Sequence, residues 1–314
     1  RIEGADYQRI RSESVGFRSR SRIAVLYVVG TIVSGKSGFD GVNGSVAGSE
    51  TIVDQIRKIR DDNSIKAIVL RIDSPGGSSV ASDVIWRELT ITREDDPDRP
   101  IVTSMSDLAA SGGYYIAMPT ETIVAQPGTL TGSIGIFGGK IVIGGTLEKA
   151  GVATEAVTSG KNADIYSPFA PFTPAQRTKV AAFMEDFYKG FLDKVAKSRN
   201  TTPEAIHAVA QGRVWTGRQA LQHGLVDALG GLDTAVALAK EKAKIPANED
   251  VQLVVYPERR SLFDALSEQF GGVGSAGLWG MLAGTTERRA VAALSAATGL
   301  FRRGEPVALM PSTF

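Results

Sequence analysis

Three short glycine-rich passages hold the residue types that acyl-transfer chemistry needs. In "SDLAASGGYYIA" (106–117), Ser111 follows small residues at the end of an apolar run and precedes Gly112 and Gly113. Small neighbours allow a tight turn that exposes the hydroxyl, and a helix N-terminus just beyond it favours the negative charge of an acyl oxyanion. In "RIDSPGGSSVAS" (71–82), an apolar segment passes through Gly76 and Gly77 into a helical pattern, so that backbone N–H groups can face an anion. The third passage, "TLTGSIGIFGG" (129–139), presents Thr131 and Ser133. Each alone reads as an ordinary turn. At successive strand ends of a parallel sheet, the first two share one edge and face one pocket.

The elements that must position these turns follow from periodicity. "RIAVLYVVG" (22–30), "IKAIVLRI" (65–72), "PIVTSM" (100–105) and "ETIVAQ" (121–126) are short apolar runs of the kind buried on both faces of a parallel sheet. Residues 31–48, rich in Gly and Ser, read as loop. Ser49 is the expected N-cap of a helix carrying Ile52, Val53, Ile56 and Ile59, and a second helix is expected near 79–93. A short helix should start at Ser111, and a Gly-rich stretch follows over 128–145. Thr173 and Pro174 fit N-cap and N1 of a long helix whose apolar residues are Val180, Phe183, Met184, Phe187, Tyr188, Phe191, Leu192 and Val195. Helices at about 203–210, 216–223 and 232–244 and a strand at 251–257 follow. The alternation predicts an α/β fold with a parallel sheet and βαβ units. The domain reading is a remnant or linker over 1–21, a catalytic domain over 22–257 and a helical interface tail over 258–314, including "GLWGMLAG" (277–284) and an Ala/Leu segment at 289–301.

Composition excludes much else. With 35 Lys+Arg against 34 Asp+Glu the net charge is +1, which gives no footprint for nucleic acid. The absence of cysteine removes thiol nucleophiles, disulfides and thiolate metal sites. The two histidines, His207 and His223, fit local structural roles, so no histidine-rich metal centre is expected, and neither lies near a nucleophile-like turn. Asp73 and Asp164 read as turn formers, Trp86 and Trp215 as core or interface aromatics, and "TREDDPDRP" (92–100) as a solvated charge run. No cofactor is expected. The opening "RIEGADYQRIRSESVGFRSRSR" reads as the middle of a longer protein.

"SPGG" at 74–77, "ASGGYY" at 110–115 and "TLTGSIG" at 129–135, in that order, resemble the signal peptide peptidase A family of the Clp/crotonase fold. The similarity extends over about residues 22–256 and includes "GRVWTGRQALQHGLVD" (212–227). The chain is most similar to the C-terminal half of the long, two-half form. The resemblance implies a serine/lysine protease. Ser111 then stands at the nucleophile, Gly76, Gly77 and Gly112 at the oxyanion donors, and Ser133 at the serine that orients the lysine. Loss of one such donor costs about 3 to 4 kcal/mol of transition-state stabilisation.

The base departs from the pattern. In "TSGKNADIYSPF" (158–169) the position of the family lysine in single-half members holds Ala163, and Lys161 lies two residues earlier. Three explanations stand: the lysine comes from a missing N-terminal half, Ala163 replaces it by engineering, or Lys161 reaches the site by another loop path. The resemblance further implies extended hydrophobic peptides, remnant signal peptides among them, as substrates. It also implies homo-oligomers, and a place at the periplasmic side of the bacterial inner membrane with the membrane surface close by. Two other functions remain: a catalytically silent half that builds the oligomer, and a crotonase-type acyl-CoA enzyme.

Overall fold

A computed structural model describes residues 20–40, 44–257 and 307–309. Most of the expected linker over 1–21 and most of the expected helical tail over 258–314 lie outside the described residues. The three tail residues that are described are extended, not helical: Val307–Leu309 forms a strand, β13.

The central sheet has the order β10-β9-β7-β5-β1-β12, with β8 on β7 and β11 on β8. Its principal strands are β1 (Arg22–Val29), β5 (Ile65–Ser74), β7 (Ile101–Ala110), β8 (Thr122–Ala125), β9 (Leu130–Gly132) and β12 (Gln252–Tyr256). β1 pairs in parallel with β5 and β12, and β7 pairs in parallel with β5, β8 and β9. The short β10 (Val214–Thr216) closes the edge antiparallel to β9, and β11 (Ala228–Leu229) runs parallel to β8.

The apolar runs are continuous because both faces of this sheet are covered. Ala24, Leu26, Ile68, Leu70 and Ile72 face one core with helices α1 (Ser49–Asp61), α2 (Ser79–Asp95) and α3 (Gly112–Ala117). Their alternates Ile23, Val25, Ala67 and Val69 face a second core with Ala235 and Ala239 of the last helix, Leu232–Lys242. Each fully buried Leu or Ile contributes about 1.5 to 3 kcal/mol of transfer free energy.

Residues 31–48 are more ordered than the loop expected of them. They form β2 (Thr31–Val33), β3 (Gly38–Asp40) and β4 (Gly44–Gly48) of a second sheet, ordered β13-β6-β2-β4-β3, in which β6 is Gly76–Ser78. Small residues carry little strand propensity of their own, so tertiary pairing decides here. The N-cap of α1 is Gly48, with Ser49 as the first helical residue. A Cβ on Gly48 would lie 2.1 Å from the carbonyl carbon of Lys36, so a serine does not fit at the cap itself. The Gly-rich stretch 128–145 contains β9 and leads into a short helix, α4 (Gly144–Lys149).

Thr173 and Pro174 do start the long helix α5 (Pro174–Ser198), through a capping box with Gln176. Val180, Phe191, Leu192 and Val195 of its apolar set are buried, whereas Phe183 is exposed. Helices α6 (Pro203–Val209), α7 (Gly217–Gln222) and α8 (Leu232–Lys242) complete the chain order. The charge run is less solvated than expected: Arg99 is buried, with Nη1 donating to the carbonyls of Ile59 and Arg60 at 2.9 Å.

Candidate active site

The three glycine-rich passages converge because their strands are neighbours. Register places Ser74 opposite Ala109 on β5 and β7, and Ala110 opposite Gly132 on β7 and β9. One residue beyond that last pair stand Ser111 and Ser133, side by side at the C-terminal edge of the sheet.

Ser111 is the N-cap of α3, with φ 53° and ψ −114°. A non-glycine residue in this region carries roughly 1 to 3 kcal/mol of backbone strain, held only by surrounding structure. The restraints are visible: the Ser111 N–H donates to the Gly132 carbonyl at 2.8 Å, and the Ser111 carbonyl accepts from the Tyr115 N–H at 2.8 Å. Gly113 packs where a Cβ would come within 2.7 Å of the Ser74 carbonyl oxygen, which brings α3 close to the end of β5. Ser133 also has positive φ, 48°, and its N–H donates to the Arg213 carbonyl at 2.7 Å. The block 212–227 therefore holds both the third turn and α3: Gly212 N–H reaches the Ile134 carbonyl, and Tyr114 Oη donates to the Leu225 carbonyl at 2.7 Å.

Gly76 and Gly77 form β6 with Ser78. Gly77 lies against β2 so closely that a Cβ would sit 2.0 Å from the Ile32 carbonyl oxygen. Sequence reasoning missed the residue that fixes this turn. Ser74, fully buried, donates from Oγ to the Gly30 carbonyl at 2.7 Å and accepts the Gly76 N–H at 3.1 Å. Its place beside Pro75-Gly76-Gly77 was the available signal. Thr131 is buried as well, and its Oγ1 donates to the Ala109 carbonyl at 2.7 Å, tying β9 to the strand that leads into Ser111.

Lys161 is not joined to this cluster. It lies in an exposed turn, and no hydrogen bond or ion pair links it to Ser111 or Ser133. Ala163 shares that turn, its N–H reaching the Gly160 carbonyl at 3.4 Å. Among the described residues no lysine donates to the Ser111 hydroxyl. Lys140, in the neighbouring loop, sits 4.4 Å over the Phe172 ring, and burial lowers its pKa from the ordinary lysine value.

Beside α3 a second network, also missed, lines a cavity of about 360 Å³ between α2 and α5. Val80, Val84 and Phe187 form its walls. Lys194 Nζ donates to Asp83 Oδ1 at 2.8 Å and to Tyr115 Oη at 2.6 Å, and Tyr115 Oη donates to the same carboxylate at 2.6 Å. Burial, then the Asp83 carboxylate, pushes the Tyr115 phenol far up.

The residues set aside keep local roles. His207 bonds Tyr188 Oη and Gln211 Nε2, each at 2.9 Å, and His223 packs on Trp215 at 4.2 Å between ring centroids. Asp164 accepts from Gln176 Nε2 at 3.0 Å. Asp73 has its carboxyl pKa raised by burial first and by Asp107 second. Among the described residues no group of three or more His, Cys, Asp or Glu side chains could hold a metal. No helix among them is long and apolar enough to cross a membrane.

Three glycine-rich turns, one of them carrying a strained serine at the N-terminus of α3, meet at one edge of the parallel sheet of an α/β fold. Comparison with known proteins narrows the class. Residues 93–246 match peptidase family S49. The chain is 40% identical to the chloroplastic serine protease SPPA of Arabidopsis thaliana over 87% of its own length and 40% of that protein's. It is 42% identical to Protease 4 of Salmonella typhi over 80% of its length and 39% of that protein's. It is 34% identical to a putative protease of Synechocystis over 76% of its length and 82% of that protein's. The chain belongs to peptidase family S49, the signal peptide peptidase A family of serine proteases. It spans about two-fifths of the length of the first two of these relatives.

Proposed function

We propose that this chain carries the nucleophile half of a serine/lysine peptidase that cleaves extended hydrophobic peptides, remnant signal peptides among them. One observation carries it: Ser111 is held at φ 53° on the edge where the Gly76-Gly77 turn and Ser133 meet. The hydroxyl attacks the scissile carbonyl. Its proton passes to a neutral lysine amine, which later protonates the leaving amine.

The oxyanion lies at the N-terminus of α3, with the N–H groups of Gly77 and Gly112 as donors, because the Gly76 N–H is already bonded to Ser74 Oγ. The lysine comes from a preceding half of the polypeptide, in keeping with the exposed position of Lys161 and with Ala163. Ser133 orients that lysine, and oligomerisation at the periplasmic face of the bacterial inner membrane brings the halves and the released peptides together.

The test is serine-directed fluorophosphonate labelling and peptide turnover of the chain with and without the N-terminal half. Labelling at Ser111, with turnover only in the reconstituted protein, is the expected result. Turnover by the isolated chain that Lys161→Ala abolishes would place the base in this chain instead. Absence of labelling in the reconstituted protein favours a silent, oligomer-building half, for which the unbonded Lys161 is the supporting observation. Turnover of a CoA thioester would favour the acyl-CoA enzyme.

A further inference from the structure

Ser111 and the Gly76-Gly77 turn stand on different elements, and one side chain joins those elements a helical turn behind the site. Ser111 caps α3, and the Tyr115 N–H closes the first turn onto the Ser111 carbonyl at 2.8 Å. The Gly76-Gly77 turn runs through the Ser78 N-cap into α2, which carries Asp83 at the start of its second turn. Tyr115 Oη donates to Asp83 Oδ1 at 2.6 Å, and Lys194 Nζ of α5 donates to both, at 2.6 Å to the phenol oxygen and 2.8 Å to the carboxylate. We propose that Tyr115 is a positioning residue of the peptidase site, which through Asp83 and Lys194 sets the spacing of Ser111 from the Gly76-Gly77 turn. The proposal rests on the peptidase reading of Ser111.

Helix α3 has only six residues, too few to hold a direction of its own, so its orientation is imposed from outside. The two tyrosines of "GGYY" (112–115) do this toward different partners. Tyr114 reaches the Leu225 carbonyl, in the block that also holds the third turn. Tyr115 reaches α2 and α5 instead. Its ring is 1% exposed, with centroids 4.7 Å from Phe191, 5.9 Å from Phe187 and 6.3 Å from Trp86. A phenylalanine would fill the same volume, so packing does not account for the hydroxyl. Burying a phenol costs desolvation that only its polar links offset. Those links form a closed set, from ammonium to phenol, phenol to carboxylate and ammonium to the same carboxylate, and hydrogen bonds to ionised groups are the stronger, more directional kind.

The consequence falls on the rate and spares ground-state binding. Displacing a reacting atom by about 1 Å can cost about 100-fold in rate. Oxyanion donors matter most once charge develops on the substrate oxygen, so a shift of Ser111 relative to Gly77 lowers kcat and leaves KM nearly as it was.

The experiment measures kcat and KM in the protein reconstituted with its N-terminal half, with kcat expressed per Ser111 labelled by fluorophosphonate so that unfolded molecules do not count. Tyr115→Phe keeps the ring, and α3 stays anchored by the Tyr114 bond and by Ser198 Oγ, which donates to the Met118 carbonyl at 2.7 Å. Tyr115→Phe and Asp83→Ala should each lower kcat about ten- to hundred-fold and change KM less than about two-fold. Asp83→Asn keeps an acceptor oxygen and should recover most of what Asp83→Ala loses. The double variant Tyr115→Phe/Asp83→Ala should lose no more than the worse single one, as expected of two links in one network.

An unchanged kcat in Tyr115→Phe overturns the proposal, as does a change confined to KM, an equal loss in Asp83→Asn and Asp83→Ala, or single losses that multiply in the double variant. The unsubstituted protein separates the two levels. If it labels at Ser111 and cleaves peptide while the variants match it, only the positioning role falls; if it neither labels nor cleaves, the peptidase reading falls and the positioning role with it.

Discussion

The carbonyl of Gly132 accepts the N–H of Ser111 at 2.8 Å, and this bond joins the residue that follows β7 to the last residue of β9. It is one of the restraints that hold Ser111 at positive φ, because releasing the strain means breaking it.

Replacing Ser111 with glycine should therefore separate stability from chemistry. Glycine adopts φ 53° without cost, so Ser111→Gly should stabilise the fold by about 1 kcal/mol while losing all fluorophosphonate labelling. Ser111→Ala should lose labelling without that gain. Urea midpoints of the two variants check this, and equal midpoints would count against strain at the position.

Ser74→Ala leaves the Gly76 N–H and the Gly30 carbonyl without their partner in a buried place. The expected cost is about 1 to 3 kcal/mol of stability. Because the change loosens the Gly76-Gly77 turn, turnover in the reconstituted protein should fall more than substrate affinity does. Measuring kcat and KM separately tests this; a change in KM alone would argue against a role for the turn in transition-state stabilisation.

Gly190 faces the cavity between α2 and α5 from the middle of α5, and a Cβ there meets nothing within 4 Å. Gly190→Leu should raise thermal stability, since glycine costs up to about 1 kcal/mol inside a helix. It should also slow cleavage of peptides with bulky side chains more than those with alanine, provided the cavity receives a substrate side chain. A uniform effect across a peptide panel would show that it does not.

Alkaline pH should weaken the fold in a defined window. Tyr114 and Tyr115 both have phenol pKa values raised by burial, so the folded chain keeps protons that the unfolded chain loses near pH 10. Their contribution is complete below pH 10 and is lost as the pH rises toward the folded values. The loss reaches about 1.4 kcal/mol per pH unit for each phenol. Denaturant midpoints between pH 8 and 11 should show the fall, and Tyr115→Phe should reduce its slope.

Much of the scaffold was legible because burial imposes period and capping imposes residue type. Ile52, Val53, Ile56 and Ile59 mark α1, and Thr173 with Pro174 marks the start of α5, each through local chemistry. The second sheet was not legible. Its β2, β3 and β4 are short and small-residue rich, and their pairing is set by neighbours distant in sequence, such as Gly77 beside Ile32.

The same division runs through the site. The sequence by itself singled out Ser111, the glycine turns and Ala163, because a serine among small residues and an alanine at a given place in a loop are properties of the chain. Only the tertiary structure decided that Ser111 and Ser133 stand side by side, that Ser74 holds the Gly76-Gly77 turn, and that Val307–Leu309 lies along β6. Those are relations between segments far apart in the chain, and register and hydrogen bonding between strands exist only once the sheet has formed.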